Sequence, residues 1–518
     1  MLRKIRIPLA IVFWLLITWL LVDFTGTAQL YLGWMAKIQL LPAILALNVG
    51  VLIFLVALTL LLGRIYCSVI CPLGVMQDAI AWFRKKKNKY SYSPAKNGLR
   101  YTILALTGLA FVANLGWVAG LVAPYSTYGR IVGAVVSPLY KMGNNLMVQL
   151  AAHYGSYAVY DVEVWMKSGL TLGVVLVTWC IIAVLAWRGG RTWCNTICPV
   201  GTLLGLLSRH SVYSPVIDTQ KCNSCGLCSR NCKSACIDFK NHTVDMSRCV
   251  MCGDCIQKCN RGAMHLGQKV QAPAVEPAPA QQSVAPKQTP ENTDRRAVLT
   301  SLALLAGATV ANAIEEKTVD GGYADIVPKK KPERQKLITP PGSLSARNLA
   351  SHCTACQLCI NECPNDVLRP SNSLKRFMQP EVSFEHGYCR PECNRCSQVC
   401  PTGAIKPVTV EERTAIQVGR ATWVRDNCVP VTDGKPCGLC ARKCPAQAIQ
   451  MVPLQAGVHQ DGGRWRDADN QEIPREKVLL IPVVNEEKCI GCGACENLCP
   501  SNPYSAIYVE GNDFHREV

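Results

Sequence analysis

The chain has 518 residues, which is too long for one compact core and predicts several domains. Its 30 cysteines would fit a disulfide scaffold in a short secreted protein, but the length and the long apolar stretches exclude that class. The net charge of +18 would fit nucleic-acid binding, yet much of the basic excess lies in loops beside apolar segments, which indicates membrane orientation and no nucleic-acid partner.

Four apolar stretches near the N-terminus are each long enough to cross a bilayer, which takes roughly 20 residues. They lie at about 5–24, 38–63, 101–123 and 168–187. Basic residues are dense before the first stretch, in the 64–100 loop and after the fourth stretch, and they are sparse at 124–167. The positive-inside bias therefore predicts an α-helical membrane domain of four spans over 1–210, with its N-terminus in the cytoplasm.

An internal repeat follows the second and the fourth apolar stretches. Residues 63–74 and 190–201 share the pattern G-R-x-aromatic-C-x3-C-P-x-G, which indicates two halves related by a pseudo-two-fold axis. Such an axis would bring together the thiols of Cys67, Cys71, Cys194 and Cys198. Four thiolates can hold an iron–sulfur centre or a single soft metal, whereas the alternative is a turn with unligated thiols. Cys180, within the fourth stretch, is expected to be only a small apolar residue.

The segment 211–268 carries the spacing of a cytoplasmic two-cluster ferredoxin. Its two C-x2-C-x2-C-x3-C runs are Cys222, Cys225, Cys228, Cys232 and Cys249, Cys252, Cys255, Cys259. In that fold the fourth cysteine of each run binds the other cluster, which assigns Cys259 to the first [4Fe–4S] cluster and Cys232 to the second. A zinc site would need only one such run. Cys236 is an extra thiol that could replace Cys232.

Two segments join this module to the rest of the chain. Residues 269–292 are rich in Pro, Ala and Gln, which predicts a disordered linker. Residues 293–314 begin with a paired Arg295-Arg296 before a short apolar run, as in a twin-arginine export signal. A short amphipathic or buried helix is the alternative, and the sequence leaves open whether the segment is cleaved or spans the membrane.

The C-terminal segment 315–518 carries four more cysteine quartets, and Pro follows the last cysteine of each. Quartets one to four are, in order, Cys353, Cys356, Cys359, Cys363; Cys389, Cys393, Cys396, Cys400; Cys428, Cys437, Cys440, Cys444; and Cys489, Cys492, Cys495, Cys499. Four clusters are predicted here, in a ferredoxin-like α+β module stabilised by metal binding. About six [4Fe–4S] clusters in one chain indicate an electron relay rather than structural braces.

Taken together, these motifs resemble two known families. Residues 1–265 resemble NapH, a membrane subunit with four spans, two C-x3-C-P motifs and a cytoplasmic ferredoxin tail. Residues 293–518 resemble NapG, an exported four-cluster polyferredoxin, through the Pro-Pro-Gly at 340–342 and the Cys-Arg-Pro-Glu-Cys run at 389–393. The chain is therefore similar to a NapH–NapG-type fusion in a bacterial inner (cytoplasmic) membrane, with its last module in the periplasm.

This resemblance implies a function and a pairing of clusters. The family oxidises quinol from the quinone pool, as a dehydrogenase component of anaerobic respiration, and passes electrons to a periplasmic reductase or cytochrome, with nitrate reductase as the family-level acceptor. It also implies that quartet one shares ligands with quartet four, and quartet two with quartet three. The fourth ligands would then be Cys499 for quartet one, Cys363 for quartet four, Cys444 for quartet two and Cys400 for quartet three.

Two other functions remain open from the sequence. Assembly factors resembling CcoG combine C-x3-C-P motifs with a ferredoxin module and reduce a metal for delivery, and MauM/MauN-type proteins would carry electrons from a periplasmic dehydrogenase to quinone. No dinucleotide, P-loop or haem-attachment motif is present, so a partner must carry any substrate chemistry. Candidate acceptors of quinol protons near the outer face are Asp23, His153, Asp161 and Glu163, although each is also typical of an ordinary solvated residue.

Overall fold

A computed structural model describes residues 2–84, 90–164, 167–268, 318–320, 324–326 and 329–517. It forms two compact units. The first unit comprises Met1–Leu15, Val49–Ala105 and Gly169–Glu315, and the second comprises Leu16–Asn48, Leu106–Ser168 and Glu316–Val518. The predicted linker 269–292 and the twin-arginine-like segment 293–314 lie outside the described residues.

The first unit combines apolar helices with a small α+β module. Its helices, including two that continue into the second unit, are Leu2–Val22, Val49–Leu62, Tyr66–Val69, Pro72–Trp82, Asn97–Val112, Gly169–Gly189, Thr192–Thr196, Pro199–Ser208, Leu227–Arg230 and Asp254–Lys258. Its strands are Tyr213–Ile217, Ile237–Asp238, Thr243–Val244 and Met264–Gln268. The first and last strands pair in antiparallel register, from Tyr213 opposite Gln268 to Ile217 opposite Met264. This pairing returns the end of the module to its beginning, as a two-cluster ferredoxin requires.

The four predicted spans are not all continuous helices. Two described helices, Arg3–Val22 and Gly169–Gly189, are long and apolar enough to cross a membrane, while Val49–Leu62 is shorter. The second predicted span is interrupted at Leu47 and the third at Asn114, where the backbone turns left-handed at φ 51° and 59°. In each case the following amide bonds back five residues, Asn48 to Ala43 and Leu115 to Ala110, which is the Schellman end of a helix.

Large apolar side chains cover the outside of these helices. On Gly169–Gly189, for example, Leu176, Trp179, Ile181 and Val184 are exposed. Side chains of this kind are scattered singly on soluble proteins, and a continuous exposed band marks a surface that something apolar covers.

The second unit is built from short elements. Its helices are Thr27–Leu32, Trp34–Lys37, Leu40–Leu45, Gly116–Val122, Pro124–Ile131, a π-helix at Val132–Val136, Ser137–His153, Ala346–His352, Leu358–Asn361, Leu374–Arg376, Arg395–Gln398, Val410–Ala415, Arg425–Asn427, Val429–Thr432, Leu439–Arg442, Arg475–Lys477 and Ala494–Asn497. Its strands are Thr318–Asp320, Ala324–Ile326, Leu368–Pro370, Pro380–Val382, Ile416–Trp423, Ile449–Pro453, His459–Asp461, Arg464–Arg466, Glu472–Ile473, Leu480–Val484 and Ile507–Glu517.

Two antiparallel hairpins determine how the C-terminal quartets meet. Leu368–Pro370 pairs with Pro380–Val382 between quartets one and two. Ile449–Pro453 pairs with Leu480–Val484 between quartets three and four. Each hairpin folds the chain back so that consecutive quartets face each other. The long strand Ile507–Glu517 then pairs with Ile416–Trp423 and encloses quartets three and four.

Candidate iron–sulfur centres

None of the 30 cysteines forms a disulfide bond; 14 are buried, 14 are half-buried and two are exposed. Among the described residues, no group of three or more His, Cys, Asp or Glu side chains is placed to hold one metal ion. The thiolates of a [4Fe–4S] cluster bind four different irons, so they lie farther apart than the ligands of a single ion.

The two C-x3-C-P motifs do come together in the first unit. Cys67, Cys71, Cys194 and Cys198 are each only 3 % exposed. Burial raises the pKa of Cys198, and the nearby thiols of Cys194 and Cys71 raise it further. The sequence prediction that the repeat unites these four thiols, here called the motif set, therefore agrees with the structure, whereas Cys180 is exposed on another helix.

Two buried arginines of the repeat join the motifs reciprocally. Arg64 of the first motif donates to the carbonyl of Cys194 at 3.1 Å, and Arg191 of the second donates to the carbonyl of Cys67 at 2.6 Å. Both guanidinium groups are fully buried and reach thiols, Arg64 to Cys67 at 3.8 Å and Arg191 to Cys194 at 3.9 Å. Two positive charges among four thiols would compensate thiolate ligands.

In both motifs, a glycine allows the helix that follows the second cysteine to lie close to the carbonyl of the first cysteine. A Cβ on Gly74 would lie 2.3 Å from the carbonyl oxygen of Cys67, and a Cβ on Gly201 would lie 2.2 Å from that of Cys194. No other residue would fit without displacing backbone. The repeated glycine therefore has a structural reason, and the pseudo-two-fold relation extends to individual contacts.

Asp78 anchors this arrangement, and the sequence analysis did not identify it. Its carboxylate accepts two hydrogen bonds from Arg191, at 2.7 and 2.8 Å, and lies 3.1 Å from Lys233 Nζ. Although burial opposes it, the charge of Arg191 followed by that of Lys233 holds the pKa of Asp78 well below its usual range. The carboxylate thus stays ionised and ties the second motif to the ferredoxin module.

Further contacts connect the motif loops with ferredoxin loops that carry cysteines. Asn195 donates to the carbonyl of Ser234 at 3.2 Å, two residues beyond Cys232. Arg64 donates to the carbonyl of Ser247 at 3.0 Å, two residues before Cys249. The motif set and the second ferredoxin run are therefore immediate neighbours.

The second ferredoxin cluster site contains five thiols rather than four. Burial raises the pKa of Cys255, and Cys252, Cys249 and Cys232 raise it further. Cys236 lies 3.5 Å from the sulfur of Cys232. Cys236 also interacts with the thiol of Cys249, so Cys232 and Cys236 both lie at this site and either can supply the fourth ligand. At the first site, burial and then Cys222 and Cys225 raise the pKa of Cys228.

In the second unit, the last cysteine of quartet one lies beside quartet two, and the last cysteine of quartet two lies beside quartet one. Burial raises the pKa of Cys353 and of Cys356, and Cys400 raises both further. Burial likewise raises the pKa of Cys396, with Cys389 and Cys363 adding to it. Set A is therefore Cys353, Cys356, Cys359 and Cys400. Set B is Cys389, Cys393, Cys396 and Cys363.

Quartets three and four form the other pair. Burial raises the pKa of Cys440, and Cys437 and Cys499 raise it further. For Cys495 the same effect comes from burial, Cys492, Cys489 and Cys444. Set C is therefore Cys428, Cys437, Cys440 and Cys499. Set D is Cys489, Cys492, Cys495 and Cys444.

These sets correct the pairing implied by the NapG resemblance. That pairing gave Cys499 to quartet one, Cys444 to quartet two, Cys400 to quartet three and Cys363 to quartet four. It is wrong because the hairpin after quartet one and the hairpin after quartet three bring consecutive quartets together.

The backbone of several ligand loops is shaped for thiolates. Gln357 and Gly493, which follow the second cysteines of quartets one and four, have left-handed φ values of 64° and 78°. Buried amides point at sulfur, for example Ile405 to Cys400 at 3.4 Å and Ala506 to Cys499 at 3.3 Å. Such N–H···S bonds stabilise the thiolate form, so the sets fit iron–sulfur clusters, which supply one-electron transfer when bound.

Set A rests on helices from the first half of the chain. A Cβ on Gly120 would lie 2.1 Å from the carbonyl oxygen of Thr354, and one on Gly129 would lie 2.5 Å from that of Cys356. The buried Arg130 donates to the carbonyl of Ala355 at 3.3 Å. The ligand loop of Cys353–Cys359 is therefore held directly against these helices, a contact that no sequence pattern indicated.

The candidate proton acceptors for quinol are not assembled into a pocket by any described contact. Asp23 is buried and accepts backbone N–H groups of Gly26 and Ala28 at 3.1 and 2.8 Å, so it caps a helix. His153 and Asp161 are exposed, and Glu163 lies 3.8 Å from the ring of His386. His153, Asp161 and Glu163 are therefore ordinary solvated residues. Asp23 differs from them because its carboxylate accepts backbone N–H groups at the start of the helix Thr27–Leu32.

Two family descriptions match the chain. Residues 44–90 and 171–214 match the family described as a 4Fe-4S binding domain. Residues 352–429 and 435–502 match the family described as a 4Fe-4S dicluster domain. The first match to the dicluster family covers quartets one and two with Cys428, and the second covers the other cysteines of quartets three and four.

Similar proteins are ferredoxin-type proteins. The methylamine utilization ferredoxin-type protein MauM of Paracoccus denitrificans is 30 % identical over 191 residues, 35 % of this chain and 75 % of its own length. The ferredoxin-type proteins NapF and NapG of Escherichia coli are 27 % and 26 % identical over 34 % and 31 % of this chain, and 87 % and 65 % of their own lengths. No solved structure matches. The chain belongs to the family of iron–sulfur electron-transfer proteins that contains these ferredoxin-type proteins.

Proposed function

We propose that this chain is a membrane-bound NapH–NapG-type fusion that oxidises quinol and relays the electrons to a periplasmic reductase or cytochrome. One observation carries the proposal: in each unit, a cysteine loop packs directly against one of the apolar stretches that are predicted to cross the membrane. In the first unit Met251 approaches Gly63. In the second unit Thr354 approaches Gly120. An electron acceptor placed on such helices suits a donor dissolved in the bilayer.

Three features support a membrane location. Exposed apolar residues such as Leu9, Leu15 and Trp19 follow the helix Leu2–Val22, as they follow Gly169–Gly189. The two continuous helices match the roughly 20 residues that a bilayer requires, and the interrupted pair supplies further apolar length. Basic residues beside them support a cytoplasmic location for the first ferredoxin module, because positive charge is enriched in cytoplasmic loops. The last module would then be periplasmic, in a bacterial inner membrane.

The chemistry balances with a partner as final oxidant. One quinol loses two electrons and two protons to become quinone, and the protons leave to water. The six ferredoxin-type cysteine sets would accept the electrons one at a time, and a periplasmic redox protein would finally be reduced. The motif set adds a seventh candidate centre, next to the run of Cys249, which would link the bilayer helices to the cytoplasmic module.

A second candidate is the opposite direction of flow. The relatives include methylamine utilization proteins. The alternative is therefore that electrons enter from a periplasmic dehydrogenase and leave to quinone. The cysteine sets serve either direction equally. The initial rates with reduced and oxidised quinone distinguish them.

The test is anaerobic reduction of the purified full chain by a reduced naphthoquinone. Rapid partial bleaching of the iron–sulfur absorbance, with matching loss of quinol, is expected for the wild type and for Cys180→Ser. The double variant Cys67→Ser, Cys194→Ser should bleach far more slowly with quinol and normally with dithionite. Intact wild-type clusters that dithionite reduces and quinol does not would reject quinol oxidation.

A further inference from the structure

The buried guanidinium of Arg413 lies where the two C-terminal dicluster modules meet. The backbone amide of Cys389 in set B donates to the carbonyl of Cys492 in set D at 2.9 Å. Cys359 of set A is in turn influenced by Cys396 of set B. The sets therefore follow the spatial order A, B, D, C, which differs from their order along the chain.

Arg413 bonds directly to set B at this junction and feels the charge of set D. Its Nη2 donates to the sulfur of Cys389 at 3.2 Å, and the thiols of Cys389, Cys396 and Cys492 act on its charge. The helix Val410–Ala415 that carries it is fixed by a capping box between Thr409 and Glu412. This side chain is thus held in place from its own helix.

The charge of Arg413 has no carboxylate partner among the described residues. The side chain is 0 % exposed, and its Nε and Nη1 have no hydrogen-bond acceptor within the described structure. An isolated buried charge is costly unless an anion compensates it. The largest charge effects on it among the described residues come from the cysteine sulfurs Cys389, Cys396 and Cys492 of sets B and D. Buried thiolates with their clusters are therefore its counter-charge.

We propose that Arg413 raises the reduction potentials of the clusters held by sets B and D and so makes their junction the bridge between the two dicluster modules. Each electron that arrives adds a negative charge, which the guanidinium stabilises in the reduced state more than in the oxidised state. Hydrogen bonds to ligand sulfur and nearby charge are established controls of cluster potential. The proposal requires bound clusters and is independent of whether quinol is the donor.

The test is a potentiometric titration of the anaerobic full chain, followed by electron paramagnetic resonance. Arg413→Gln is expected to lower the midpoint potentials of two clusters. Each one-electron equilibrium constant should change at least tenfold, which corresponds to a shift of about 59 mV. The exposed Arg347→Gln removes the same charge on the helix Ala346–His352 and should change none. Iron per chain is measured on every sample.

Arg413→Lys separates the charge from the hydrogen bond. It should lower one of the same two potentials, by at least a threefold change in the equilibrium constant, because the bond to Cys389 is lost while the charge remains. If Arg413→Gln loses iron, the potentials of Arg413→Lys decide whether Arg413 controls the potentials of the clusters. Wild-type potentials in an iron-complete Arg413→Gln, or no shift at any centre in Arg413→Lys, would overturn the proposal.

Discussion

Gly120→Ala is expected to loosen the ligand loop of set A. The helix Gly116–Val122 packs so closely that a Cβ at Gly120 would lie 2.1 Å from the oxygen and 2.8 Å from the carbon of the Thr354 carbonyl. Ordinary contact begins near 3.4 Å, so the loop must retreat by about 1.3 Å. Because the obstacle is backbone, no side-chain rotation relieves it.

The size of the effect follows from two opposing terms. Overpacking of this kind costs about 1–3 kcal/mol. Alanine is better than glycine inside a helix by up to about 1 kcal/mol, which offsets part of that cost. The net expectation is a destabilisation of about 1–2 kcal/mol, located at the cluster held by set A.

The assay is iron retained per chain after anaerobic incubation in graded urea. Gly120→Ala should release about four irons, one cluster, at lower urea than the wild type. Gly143→Ala is the matched control, because Gly143 lies exposed in the helix Ser137–His153 with nothing within 4 Å of its Cβ position. Identical iron release from the two variants would refute the close docking of the loop on the helix.

Three other variants test the site and its pH dependence. Asp78→Asn leaves Arg191 buried without its carboxylate and should lower the free energy of unfolding of the first unit, measured by urea titration, by about 3–5 kcal/mol at neutral pH. Since the pKa of Asp78 is depressed, this difference should shrink only below about pH 4. Burial lowers the pKa of His515 to about 4, so on acidification the unfolded chain binds a proton at this histidine before the folded chain does. The free energy of unfolding of the wild type should therefore fall by at most about 3 kcal/mol from pH 6.5 to 4. His515→Gln should flatten this pH dependence in urea titrations. Gly201→Ala should lower the iron bound per chain and Gly173→Ala, with nothing within 4 Å, should not; equal iron contents would contradict a centre at the motif set.

Repetition made the first unit predictable. The shared G-R-x-aromatic-C-x3-C-P-x-G pattern indicated a two-fold site, and the structure realises it down to paired roles for Arg64 and Arg191 and for Gly74 and Gly201. The ferredoxin runs likewise have a spacing that the metal itself imposes. The sequence analysis did not identify Asp78 because it lies outside the repeat. Only the folded chain brings its carboxylate next to Arg191 of the second motif.

Long-range pairing in the second unit could not be read from spacing. Four similar quartets permit several pairings, and the choice depends on the hairpins Leu368–Val382 and Ile449–Val484, whose strands are short and weakly patterned. Arg413 lies 24 positions from Cys389, with no motif linking the two. The breaks at Leu47 and Asn114 were hidden within uniformly apolar sequence, where only the asparagines indicated a helix end.

Continuity of the relay is tested most directly by removing set B. In a Cys393→Ala, Cys396→Ala variant, reduced naphthoquinone is added anaerobically and the reduction of each remaining cluster is followed by electron paramagnetic resonance. The relay predicts that sets C and D stay oxidised with quinol but are reduced by dithionite, while set A and the first unit respond as in the wild type. Reduction of sets C and D by quinol at the wild-type rate would contradict a single path through the sets in the order A, B, D, C.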